Sequence, residues 1–272
     1  MTAFSSPLAL ASLSQVWLAE ELARADSAVL STGHADLDRQ LPGGGWPVGG
    51  MVEVLQADAG LHVWQLLLPG LMQAVQNQPG PVLLVGAPCE PFGPSLQARG
   101  LPLERLLWVR TDRPAARLWA AEQALRCAEV VAVLAWLPQA RSAELRRLHL
   151  AAQQQDRLLF VFRTLQARHD ASPAPLRLWL EGVDALNVHI LKRRGPPLET
   201  PVTLPAHAPR LAALLATRGA APRPAQAAGA GPSPAGGAPS GNRARPPEPL
   251  RPQLRVVSLR EASHALDRPV AA

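Results

Sequence analysis

Residues 49–63 read Gly49-Gly50-Met51-Val52-Glu53-Val54-Leu55-Gln56-Ala57-Asp58-Ala59-Gly60-Leu61-His62-Val63. A glycine turn leads into the apolar run Met51 to Leu55, which reads as a strand. The segment Val63 to Gln76 then reads as a helix, and Pro69 is expected to kink or split it. The same alternation continues outward. Val82 to Val85, Leu106 to Val109, Val130 to Leu137 and Leu158 to Phe162 read as strands. Ser95 to Arg99, Ala115 to Ala128 and a helix capped by Ser142 and running to Gln155 fall between them. Leu176 to Glu181 and Val188 to Lys192 read as a closing antiparallel pair. Short apolar strands separated by helices imply an α/β fold, with a mostly parallel sheet covered by helices on both faces. In such sheets ligands bind beyond the carboxyl ends of the strands. A nucleotide enzyme would place its phosphate loop directly after Met51–Leu55.

Composition bounds the remaining choices. The chain has 272 residues, room for one large domain or two small ones, and 47% of them are apolar, which excludes wholesale disorder. Two cysteines, Cys89 and Cys127, exclude a disulfide scaffold and suit a reducing compartment. The longest apolar run, Val130 to Leu137, is far shorter than the ~20 residues of a spanning helix, so a soluble, cytoplasmic protein with no membrane partner is expected. The net charge of +6 is unevenly spread: 20 basic against 18 acidic residues in 1–219, and 7 against 3 in 220–272. Of the 27 basic residues, 26 are Arg and one is Lys192. From Ala216 to Pro249 there is no Ile, Leu, Val, Met, Phe or Trp. The expected organisation is a helical segment at 1–30, a core at 31–215, a disordered Pro/Ala/Gly linker at 216–249 and a short motif at 250–272. That last motif reads either as a frayed end or as a tethered docking element.

Two segments then resemble a known core. Gly49-Gly50-Met51-Val52-Glu53-Val54 resembles the opening of the RecA-type recombinase core. Ile190-Leu191-Lys192-Arg193-Arg194-Gly195-Pro196-Pro197-Leu198 resembles the strand and Lys-x-Lys-x-x-Pro-Pro-Phe turn of the same family. The resemblance implies a RecA-like, P-loop-NTPase-like core with a degenerate phosphate loop. A working loop reads G-x-x-x-x-G-K-[ST]: backbone amides cradle phosphates, the Lys meets the outer ones and the hydroxyl holds magnesium. Aligned on Val52-Glu53, the first Gly becomes Gln56, the second Leu61, the Lys His62 and the hydroxyl Val63. A shift by one restores Gly60 but puts Leu61 at the Lys position. The strand that should end in a magnesium-binding Asp ends in Leu134-Ala135-Trp136-Leu137. Glu90, near the place of the water-activating Glu, reads as a solvated loop residue. No catalysis, cofactor or metal site is therefore expected.

Further blocks narrow the resemblance. Thr32-Gly33-His34-Ala35-Asp36-Leu37-Asp38 and Leu41-Pro42-Gly43-Gly44-Gly45-Trp46-Pro47 resemble the signature of the ImuA family of translesion-synthesis accessory proteins, often grouped with the division inhibitor SulA. Trp119-Ala120-Ala121-Glu122-Gln123-Ala124-Leu125-Arg126, Val133-Leu134-Ala135-Trp136 and Leu145-Arg146-Arg147-Leu148 are similar to its later blocks. The resemblance implies an accessory role in SOS-induced, error-prone synthesis past DNA lesions. Its implied partners are an ImuB-type inactive Y-family polymerase, an error-prone polymerase and, in some lineages, RecA. A SulA-like inhibitor binding FtsZ and an atypical RecA-like ATPase are the alternatives.

Candidate contact residues follow. Lys192, Arg193 and Arg194 read either as a solvated strand end or as a DNA-phosphate or partner contact. Arg141, Arg146 and Arg147 read either as a polar helix face or as a nucleic-acid contact. Trp17 and Leu22 belong to a leading helix that packs on its own domain or on a partner. The turn at 43–47 is expected to let backbone pass tightly while Trp46 covers the core edge. No base-stacking array is legible: Tyr is absent and the four Phe are scattered.

Overall fold

The computed structural model describes residues 28–59, 62–182, 185–205 and the backbone of 255–258. The leading helix with Trp17 and Leu22, the loop residues Gly60 and Leu61, and the proposed linker lie outside the described residues.

The chain forms β1 (Val29–Leu30), α1 (Ala35–Asp38), β2 (Trp46–Pro47), β3 (Met51–Gln56), α2 (Val63–Asn77), β4 (Val82–Val85), α3 (Gly93–Ala98), β5 (Leu106–Arg110) and α4 (Pro114–Arg126). It continues with β6 (Ala132–Trp136), α5 (Ser142–Gln154), β7 (Leu158–Thr164), β8 (Leu176–Glu181), β9 (Ala185–Lys192), β10 (Val202–Pro205) and β11 (Arg255–Ser258). Among the described residues the main sheet has the order β10-β9-β8-β3-β7-β6-β4-β5-β11, and β1 and β2 form a separate antiparallel pair. The strands from β8 to β5 run parallel; β9, β10 and β11 join antiparallel. The sheet is thus mostly parallel with helices on both faces, as the alternating pattern requires. β11 comes from the expected C-terminal motif and extends the same sheet beside β5.

One apolar layer joins α2, through Val63, Leu66, Leu67 and Leu71, to Val52, Val54, Leu84, Leu134 and Phe160. The other joins α4 and α5, through Leu118, Ala121, Leu125, Leu145 and Leu148, to Met51, Val85, Val133, Ala135 and Val161. The i, i+3, i+4 spacing of these helical positions is what places them on one stripe.

Pro69 neither splits α2 nor ends it; the helix runs unbroken from Val63 to Asn77. Pro69 lacks the N–H that would bond the Gln65 carbonyl one turn back. His34 supplies the missing donor: its Nε2 lies 3.1 Å from the Gln65 oxygen. Gly33 packs directly on Pro69, so the block 32–38 docks where the helix backbone is incomplete. Asp38 holds that block closed, accepting from the Ser31 hydroxyl at 2.6 Å and the Thr32 N–H at 2.8 Å.

Two sequence expectations shift. Trp46 does not cover an edge; it is 1% exposed, with its ring edge-on to Phe160 at 5.3 Å. The N-cap of α5 is Arg141 rather than Ser142, and the Glu144 carboxylate accepts the Arg141 N–H at 2.7 Å. Gly45 does let backbone pass tightly: a Cβ there would lie 2.2 Å from the Leu30 carbonyl oxygen.

Candidate functional site

The two ends of the sheet carry different chemistry. At the carboxyl end, where the phosphate loop would lie, the described residues turn inward. His62 adopts a left-handed conformation, φ 61°, just before α2. Its Nε2 donates to the Gly182 carbonyl at 2.6 Å and its Nδ1 lies 2.9 Å from Gln65 Oε1. Gln65 in turn donates to the Pro205 carbonyl. His62 therefore clamps the start of α2 to the end of β8 and, through Gln65, to β10. Neither ring nitrogen is left for a phosphate. Gln56 is 4% exposed, and Val63 packs in the core. A small cavity of about 130 Å³ remains beside Gln56, Gly86, Arg117 and Trp136, with no carboxylate among its lining residues. Glu90 is exposed, as expected for a loop residue.

Beneath that end lies a charged cluster that sequence reading missed. Glu53, fully buried on β3, accepts from Arg163 of β7 at 3.0 Å and from Arg177 of β8 at 2.6 Å. Arg163 also reaches Asp170 at 2.9 Å, and Arg177 donates to the Ala167 carbonyl at 2.8 Å. The cluster ties three adjacent strands to the 3-10 turn Leu165–His169. The available signal was a lone acid in an apolar central strand, since a buried charge needs partners.

The basic run lies at the opposite end, because β9 runs antiparallel to β8 and Lys192 pairs with Arg177 near the start of that strand. The three side chains diverge. Lys192 donates to the Ser172 carbonyl, while Arg193 donates to the Pro196 and Gln40 carbonyls. Arg194 instead lines a cavity of about 480 Å³ with Gly43, Pro47, Gly49, His149 and Asp156. The Gly-rich Trp-Pro turn and the basic run thus converge on one cavity at the amino end of β3. The helix arginines do not form a single patch. Arg147 pairs with Glu122 of α4 at 2.9 Å, Arg141 lines an open depression with Arg163 and Asp170, and Arg146 is exposed.

His149 accepts the Met51 N–H at its Nδ1, 3.2 Å away. Burial, then the charges of Arg194 and Lys192, hold its pKa below the ordinary histidine value. The unfolded chain therefore takes up the proton more readily than the folded one. This contribution to stability is complete above the unfolded pKa and falls as pH drops through and below it. Acid titration of wild type beside His149→Asn checks this: the wild type is expected to lose the extra stability as pH falls below the ordinary histidine value of about 6.5, and the variant is not.

The comparisons with known proteins bear on these same elements. A family model described as cell division inhibitor SulA matches residues 49–159, from the glycine turn through β3 into β7. A cell division inhibitor SulA from Edwardsiella piscicida is 35% identical over 107 residues, 39% of this chain and 64% of that protein. Protein ImuA from Caulobacter vibrioides is 32% identical over 137 residues, 48% of this chain and 55% of that protein. The chain is thus similar, over part of its length, to both SulA and ImuA proteins. It spans somewhat over half the length of the curated relatives it matches. The SulA-matched segment contains His62, the Glu122–Arg147 pair and His149; the turn at 43–47 and strands β8 to β10 lie outside it. Among the described residues no helix is long and apolar enough to cross a membrane.

Proposed function

We propose that this ImuA/SulA-related chain is a non-catalytic, RecA-like adaptor in SOS-induced, error-prone translesion synthesis. It works with an ImuB-type inactive Y-family polymerase and an error-prone polymerase, and contacts RecA. The observation that carries the reading is the His62 clamp. The side chain at the lysine position of a phosphate loop is spent on Gly182 and Gln65, and neither Gln56 nor Val63 restores the lost chemistry. The strand order, with β3 central between β7 and β8, supports the RecA-like part. The kinship with ImuA supports the pathway.

A second reading, a division inhibitor binding FtsZ, is favoured by the match of residues 49–159 to the SulA family. Pull-down from damaged cells against ImuB, RecA and FtsZ separates the two. The adaptor reading expects ImuB or RecA. Filamentation on induction in cells lacking ImuB supports the inhibitor. Titration with magnesium-ATP in a calorimeter is expected to give no saturable heat, for wild type and His62→Ala alike. Saturable heat lost on His62→Ala would revive an atypical ATPase.

A further inference from the structure

Strands β8, β9 and β10 have two unlike faces. One carries Leu178, Leu180, Leu186, Val188, Ile190, Val202 and Leu204 into the core under α2. The other carries Trp179, Asn187, His189 and Thr203, and none of these residues enters the layer beneath α4 and α5. Among the described residues this second face has no helix over it.

The face holds a built stack. Trp179 and His189 are cross-strand partners with rings 4.3 Å apart and 21° from parallel. The Arg168 guanidinium lies 4.8 Å from the indole centroid. The indole is thus in contact with both a cation and an imidazole. Trp179 and His189 are half-buried, and Arg168 is exposed. Glu181 meets His189 Nε2 at 3.1 Å, and Asn187 bonds Thr203 at 2.8 Å. Lys192, three residues beyond His189, adds an exposed cation at the end of the same strand.

We propose that this open face binds single-stranded nucleic acid. An unpaired base continues the stack over the exposed Arg168 guanidinium, while the neighbouring cations meet phosphates. Planar groups on an open sheet with adjacent positive charge suit that ligand, since every base offers a π-face. A duplex keeps its bases inside and cannot join the stack. The proposal does not depend on the adaptor reading.

The test uses the full chain and a fluorescein-labelled oligothymidylate, followed by anisotropy over a salt series. Wild type is expected to bind saturably at low salt and to prefer the single strand over the matching duplex. Trp179→Leu, which keeps apolar cover but removes the ring, should weaken binding about tenfold with an unchanged salt slope. Arg168→Gln alters an exposed side chain, so it leaves the fold standing, and should weaken binding about tenfold through loss of the stacking platform. No saturable binding at low salt overturns the proposal. So does wild-type affinity in both variants, even if Arg194→Ala weakens binding, because the contact would then lie at the basic strand end. Equal affinity for duplex also overturns it.

Discussion

Glu53→Leu is expected to destabilise the protein by about 3–5 kcal/mol, read as a shift in the chemical-denaturation midpoint at an unchanged slope. Glu53 is fully buried, and the side chains of Arg163 and Arg177 are 5% and 10% exposed. Removing the carboxylate leaves two guanidinium groups facing each other across the sheet interior without their shared counter-charge. Asp170 still compensates Arg163 in part, because it lies 2.9 Å away at the surface, whereas Arg177 keeps only backbone carbonyls. Combining Glu53→Leu with Arg163→Met and Arg177→Met should therefore recover much of the loss, since an apolar replacement of a buried ionic cluster is often neutral or stabilising. A triple variant as unstable as Glu53→Leu would show that the guanidinium hydrogen bonds to Asp170 and to the Ala167 and Arg168 carbonyls, rather than the shared Glu53 charge, hold β3, β7 and β8 to the 165–169 turn.

Gly33→Ala should cost about 2–5 kcal/mol and Gly44→Ala only about 1–2 kcal/mol, although both glycines are left-handed. Their φ angles are +79° and +82°. The backbone penalty for an L side chain is thus the same at the two sites. The surroundings differ: a Cβ at Gly33 would lie 2.3 Å from Pro69 Cβ, whereas one at Gly44 meets nothing within 4 Å. Relief of the clash needs the 32–38 block to lift off α2, which also pulls His34 from the Gln65 carbonyl. Thermal or denaturant melts of the two variants side by side check the difference. Equal losses would mean that φ alone sets the cost and that the packing on Pro69 is loose.

Most of the sheet was legible because its signal is local. Val82–Val85, Ala132–Trp136 and Leu158 to Phe162 are apolar runs too short for helices, and strands buried on both faces read that way. The continuity of α2 was not legible. A proline removes a donor locally, and only a residue distant in sequence, His34, supplies the replacement. That no lysine follows β3 at the place of a phosphate loop was legible directly. That His62 is occupied was not, since Gly182 is 120 positions away. The separation of the basic run was not legible for a geometric reason: at the strand end Lys192 and Arg193 donate to different carbonyls, while Arg194 lines a cavity.

By itself the sequence determined the α/β class, the order of its strands and helices, the absence of a G-x-x-x-x-G-K-[ST] motif after Met51–Leu55 and the resemblance to ImuA. Each of these depends on residue type and short spacing. Only the tertiary structure decided what stands beside what. It joined Glu53 to Arg163 and Arg177, brought the turn at 43–47 to Arg194, and set Arg168 and His189 against the Trp179 ring. Scattered phenylalanines and absent tyrosines suggested that no stack existed. Strand pairing made one from a cross-strand partner and a cation on a preceding turn, because register, not sequence distance, sets which side chains meet across a sheet.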